Sequence, residues 1–155
     1  MPSYLPKAMT CAVLVSSGGC YLPSPPSLTI GPGEVSSVSA DGVVMTFTLE
    51  ATNDTDRELP LMGVRYRAWL TGVAGRTELF EAERSAQASV PREGTSRIRL
   101  PVPIPASALA VTGDGQRTID GEVEIEGSIR YRKGGRLYRT LSDLGLSRRS
   151  WFRWP

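Results

Sequence analysis

The stretch that most constrains the fold runs from Val43 to Val73 and reads VVMTFTLEATNDTDRELPLMGVRYRAWLTGV. Two period-2 runs flank the polar segment Thr52 to Asp56, TNDTD. Val43, Met45, Phe47, Leu49 and Ala51 fall on one side of the first run, with Val44, Thr46, Thr48 and Glu50 on the other. Val64, Tyr66, Ala68 and Leu70 alternate in the same way with Arg65, Arg67, Trp69 and Thr71. Successive side chains of a strand point to opposite faces, so each run predicts a sheet with one buried and one wetter face. Thr, Asn and Asp side chains bond nearby backbone and interrupt a ladder, so the two runs read as the arms of a hairpin.

The same reading extends along the chain. Gly33 to Ala40 is a weak strand, and Asp41-Gly42 is a hairpin turn signal because both residues tolerate positive φ. Glu78 to Val90 mixes helix formers with a strand context and reads as a strand kinked near Ser85. From Thr95, Ile98, Leu100, Val102 and Ile104 alternate with Arg97, Arg99, Pro101 and Pro103, and two prolines on one face place this segment on a sheet edge. Ala106 to Val111 has room for one helical turn, and Gly113-Asp114-Gly115 closes that excursion. Val123, Ile125, Ile129 and Tyr131 point inward from a strand whose outer face carries Glu122, Glu124, Glu126, Ser128 and Arg130. Gly134-Gly135 signals a hairpin into Arg136 to Leu141. About seven short strands without a long amphipathic helix predict an all-β sandwich, with room for one short helical turn.

Several chemistries are disfavoured by composition. The chain of 155 residues has no histidine, which removes the commonest general base and zinc ligand, and its two cysteines both lie near the N-terminus. No Gly-x-Ser-x-Gly elbow and no phosphate-cradling Gly-rich loop with its lysine occurs. The expectation is a protein without catalytic residues, metal or cofactor. Glu122, Glu124 and Glu126 read as a solvated acidic face, with Arg97, Arg99, Arg130 and Arg132 as candidate partners, because a flat strand face does not converge on a calcium ion. A net charge of +2 is too small to imply a nucleic-acid partner.

The N-terminus reads MPSYLPKAMTCAVLVSSGGC, in which Lys7 precedes the apolar run Ala8 to Val15 and a small-residue zone ends at Cys20. The run is shorter than the ~20 residues that span a bilayer, and its parts are those of a secretory signal. The segment resembles a bacterial lipoprotein signal, with Ser17 where such signals usually carry Leu. That resemblance implies cleavage after Gly19, acylation of Cys20 with diacylglycerol and palmitate-type chains, and a membrane-anchored position in the cell envelope, facing periplasm or exterior. Tyr21 to Pro32 is rich in Pro and Ser and reads as a semi-rigid tether. The predicted organisation is a signal at 1–19, lipidated Cys20 and tether at 20–32, a sandwich at 33–142 and a basic-aromatic tail at 143–155.

In that tail Arg148, Arg149, Trp151, Phe152, Arg153 and Trp154 combine guanidinium groups with aromatic rings. This is the chemistry of a membrane interface and of binding hot spots, so the tail contacts a membrane, docks an envelope protein, or folds back onto the sandwich.

Around the first turn the motifs are Leu49-Glu50-Ala51-Thr52-Asn53-Asp54-Thr55, then Leu59-Pro60-Leu61 and Val64-Arg65-Tyr66. Later come Val90-Pro91-Arg92-Glu93-Gly94 and Leu100-Pro101-Val102-Pro103. Together, over roughly Leu28 to Leu141, they resemble the late embryogenesis abundant (LEA) group 2 family, whose domain is also called WHy (water stress and hypersensitive response). Asp54 stands where the family's turn often has proline. The resemblance implies an immunoglobulin-like sandwich that binds or protects proteins or membranes under stress, without known catalysis. A second expectation is a carrier whose apolar interior opens to hold a lipid or other small apolar ligand.

Overall fold

The computed structural model describes residues 24–113, 115–132 and 148–154. Their strands are β1 (Ser27–Ile30), β2 (Glu34–Ser39), β3 (Gly42–Asn53), β4 (Leu59–Gly72), β5 (Gly75–Val90), β6 (Gly94–Pro105), β7 (Leu109–Val111), β8 (Arg117–Ile119), β9 (Glu122–Tyr131) and β10 (Arg148–Trp154). Among the described residues one 3-10 turn, Ala106–Ala108, falls inside the segment predicted to have one. The fold is an all-β sandwich. In the first sheet β3 is central, with β6 paired along its whole length on one side, while β1 and β2 share the other. The second sheet has the order β10-β9-β4-β5, and β7 and β8 form a small separate ladder. With β1 and β2 counted as one edge and the β7–β8 ladder set apart, the described residues give the sandwich seven strand positions, but not the seven read from the sequence: β10 replaces the strand expected at 136–141, which lies outside the described residues.

The alternation of the sequence is the alternation of the core. Phe47, Leu49, Ala51, Leu100, Val102 and Ile104 from the first sheet meet Val64, Tyr66, Ala68, Ile125 and Ile129 from the second, and all are at most 3% exposed. Burying each Val, Leu, Ile or Phe of this layer contributes about 1.5–3 kcal/mol, so the shared layer is what holds the two sheets together. Pro101, Pro103 and Pro105 lie on β6, which among the described residues pairs only with β3, and the missing donors fall where no ladder of those residues needs them. The Tyr66 hydroxyl donates to the Pro101 carbonyl at 2.8 Å, so the second sheet satisfies an acceptor on the first.

The hairpin expected at TNDTD is not formed. β3 and β4 belong to different sheets, and residues 54–58 carry the chain across the sandwich. Alternation fixes the face a residue occupies, and both runs point inward here from opposite layers. Asn53 holds the crossover: it is 2% exposed, and its amide nitrogen donates to the carbonyls of Arg57 (2.7 Å), Pro91 (3.0 Å) and Val90 (3.5 Å). Its oxygen accepts from the Thr55 amide and hydroxyl. One side chain therefore ties the crossover to the β5–β6 turn.

Other boundaries also move. Ser27–Ile30, read as tether, pairs with Ser27 opposite Thr52 and Ile30 opposite Leu49, and Leu28 and Ile30 pack against the core. Prolines on both sides of this short segment conceal it. Residues 75–77 join β5 through the two-residue turn between Gly72 and Gly75, where Gly75 has φ +108°. The β5 ladder shifts between Ser85 and Ala88, at the kink expected near Ser85. Cys20, the leader and the hairpin expected at Gly134-Gly135 with its strand to Leu141 lie outside the described residues. The basic-aromatic stretch 148–154 is no free tail: it is β10, paired with β9 from Arg148 opposite Tyr131 to Trp154 opposite Ile125.

Candidate functional site

Strand β10 divides its side chains between two faces. Phe152 points inward, is 6% exposed and fills the space above Gly127, where an added Cβ would lie 2.6 Å from its ring. Phe152 is therefore a core residue, which corrects its expected place on a contact surface. Arg149, Trp151 and Arg153 face outward, and Trp151 is 71% exposed. The side chains of Arg148 and Trp154 lie outside the described set; backbone register sets Arg148 opposite Tyr131 and Trp154 opposite Ile125.

The outer face of the second sheet is a grid of charges set by register. Arg65 and Arg67 both bond Glu81 Oε1, at 2.5 and 3.2 Å. Hydrogen bonds from Arg65 and Arg67 hold the Glu81 carboxyl below its usual range, and the same contact raises the Arg65 guanidinium. Arg130 reaches across β4 to Glu83 at 2.7 Å, and the side-chain-free Gly63 leaves it room to do so. Glu124 accepts from Thr71 at 2.6 Å and pairs with Arg76 at 2.9 Å and, more loosely, Arg153 at 3.7 Å. The Thr71 bond leads the causes that depress the Glu124 carboxyl. Arg76 also lies 4.1 Å above the Trp69 ring centroid, within cation–π reach. The expected partners of the acidic row therefore change: Arg97 pairs with Glu50 on the first sheet, Arg130 with Glu83, and Glu124 is met by Arg76 and Arg153. Exposed pairs of this kind contribute little individually and are screened by salt.

Within this grid lies a hollow of about 220 Å3 lined by Arg65, Arg67, Glu126, Ser128, Arg149 and Trp151, floored by the Tyr66 and Gly127 backbone region. Ser128 sits between Arg65 on β4 and Trp151 on β10. It faces outward as its alternation predicts, yet it is only 4% exposed, because the longer side chains around it stand above it. Its hydroxyl has no hydrogen-bond partner among the described residues. The site joins three strands far apart in sequence, so only Arg149 and Trp151 of its lining were candidates from the sequence.

A second hollow, about 600 Å3, opens at the end of the sandwich where the β7–β8 ladder lies. Val35, Val38, Val43, Leu109 and Ile119 give it an apolar wall, with Gln116, Arg117 and Thr118 at its polar side. Val35 and Val38 are 58% and 73% exposed. Arg117 is held to the Ala40 carbonyl at 2.8 Å, which fixes the ladder against the β2–β3 turn.

No protein-family model and no curated protein matches the chain. Among solved structures, a protein from Archaeoglobus fulgidus is similar at 11% identity over 84% of this chain and 93% of its own, with a TM-score of 0.47. A β-glucosidase from intestinal bacteria, involved in saponin metabolism, is similar at 13% identity over 83% of this chain and 16% of its own, with a TM-score of 0.35.

Proposed function

We propose that the protein is a non-catalytic lipoprotein of the bacterial cell envelope, held to a membrane by acylated Cys20, with a sandwich of the LEA group 2/WHy type that binds lipid or protein in a stress-protective role. The observation that carries this reading is the outward row Arg149, Trp151 and Arg153 on β10. Indole and guanidinium groups suit the headgroup level of a bilayer, where the ring is half-wetted and the cation meets phosphate. Chain geometry supports the orientation. Strand β1 packs beside β10, and six residues lie between Cys20 and Ser27, a chain reach of at most about 25 Å. An anchor at Cys20 would hold the β10 edge close to the membrane surface.

Two measurements test this. Labelling with a lipid precursor is expected in the wild type and absent in Cys20→Ser; equal labelling of both would remove the anchor. Flotation of the full-length Cys20→Ser protein with anionic vesicles is expected to fall when Trp151→Ala, Arg149→Gln and Arg153→Gln are combined. Unchanged flotation would remove the membrane-facing role of β10.

The apolar hollow favours a second reading, a carrier of a lipid or small apolar ligand. Its support is the Val, Leu and Ile wall at the open end of the sandwich. Lipid that copurifies with the wild type and is lost on Val43→Arg or Val38→Arg would favour the carrier, whereas ligand-free protein from lipid-rich cells would speak against it.

A further inference from the structure

We propose that the hollow around Ser128 is a binding site for a phosphate ester, with the Ser128 hydroxyl and the Arg65 and Arg149 guanidinium groups as its donors. Three independent features meet there. The first is a buried hydroxyl without a partner among the described residues. Burying such a group is unfavourable unless something completes its hydrogen bonding. The second is the register pair Arg149 opposite Arg130. Like charges directly opposite one another destabilise a sheet. Arg130 turns away over Gly63 to Glu83, and Arg149 is left with no carboxylate partner among the described residues. The third is shape: Trp151 walls one side and Arg65 and Arg67 the other, leaving a recess rather than a flat field.

The charge balance favours an anion. Arg65, Arg67 and Arg149 contribute three positive charges, and Glu81 and Glu126 offset two of them. Glu81 uses one oxygen, Oε1, for both Arg65 and Arg67, so each guanidinium keeps N–H groups to donate. Glu126 lies at the Arg67 end of the hollow and directs an anion toward Arg149 and Ser128. Guanidinium groups meet phosphate oxygens through paired N–H bonds, which are stronger than neutral hydrogen bonds. Trp151, open to solvent on the rim, offers an apolar surface to whatever the phosphate carries. Assigning the ester to a lipid headgroup rests on the membrane-facing reading above; the site itself does not.

The test uses full-length Cys20→Ser protein with two probes, glycerol phosphate in solution and vesicles of phosphatidylglycerol in phosphatidylcholine. Glycerol phosphate is expected to give saturable NMR shifts at the Ser128 amide and the Arg65 and Arg149 Nε–H groups, which an equal ionic strength of chloride does not reproduce. Ser128→Ala and Arg149→Gln are each expected to weaken binding about tenfold or more, with melting temperature unchanged or raised for Ser128→Ala. If phosphatidylglycerol binding falls in the same variants, the ester is a headgroup. If only glycerol phosphate binding falls, the ligand is a soluble phosphate ester. Vesicle binding that needs Trp151 but ignores Ser128→Ala, with no saturable glycerol phosphate shifts, would overturn the site and leave the membrane reading standing.

Discussion

Asn53 and Ser128 are the two buried polar side chains among the described residues, exposed by 2% and 4%. They differ in every other respect. Asn53 sits at the end of β3 with donors and acceptor all engaged, on partners drawn from the crossover and from the β5–β6 turn. Ser128 sits mid-strand under arginine and tryptophan side chains, with its hydroxyl unmatched by any described residue. The difference separates two uses of buried polarity. A group satisfied by the chain itself specifies the fold; a group left open beneath a cationic recess is available to something else.

The comparison can be broken at either residue. Asn53→Asp keeps the shape but turns an oxygen toward the carbonyls of Arg57, Val90 and Pro91. Denaturant unfolding is expected to show a loss of about 3–5 kcal/mol, and a loss below about 1 kcal/mol would end its role as the crossover's tie. Tyr66→Phe removes a satisfied donor from between the sheets and is expected to cost about 1–1.5 kcal/mol. It carries a pH signature as well. Burial raises the Tyr66 phenol above its ordinary value, so its contribution is intact below pH ~10 and is lost as pH climbs through the raised folded value. Melting curves from pH 8 to 11 should show that alkaline loss in the wild type and less of it in the Phe variant.

Ser128→Ala is expected to leave stability unchanged or raise it by up to about 1 kcal/mol, because it removes a hydroxyl that lacks a partner rather than one that has it. A loss larger than that in the same assay would mean Ser128 is satisfied and belongs with Asn53. The smallest effect lies at acid pH. Glu81 and Glu124 are held below the ordinary carboxylate range, so their contribution is present above pH ~4.3 and fades as pH falls through the lower folded values. Acid titrations at low and high salt should show a shallow loss, smaller in salt. Protonating Glu81 also loosens its hold on Arg65 and Arg67, so affinity for a phosphate ester monoanion should rise over the same interval.

Much of this fold was legible because buried and wet faces differ in chemistry. β3, β4 and β9 alternate clearly, and Pro101 and Pro103 marked β6 as an edge before any partner was known. Alternation carries no information about which layer a strand joins, so the runs around Asn53 read as a hairpin although they lie in opposite sheets. β10 was illegible for another reason. Arg and Trp side chains suit either face of a strand, since each joins an apolar body to a polar end, and the inward Phe152 is flanked by residues that look like surface. The Ser128 hollow had no signal of its own, because register alone brings Arg65, Ser128 and Arg149 together. One clue was present: Gly127, within an otherwise inward-alternating apolar row, asks for a side chain from elsewhere.

That glycine has a further consequence for how the last strand finds its place. β10 must settle against β9, whose inward row presents Ile125, Gly127 and Ile129, and Phe152 is accommodated over the middle position. A slip of two residues would press the ring onto an isoleucine, and a slip of one would turn it out to solvent. Gly127 thus acts as an address, and the same setting that seats Phe152 beneath brings Trp151 and Arg149 over Ser128 above. Alignment of the recess is then a by-product of core packing, so errors in threading β10 would abolish binding and stability together.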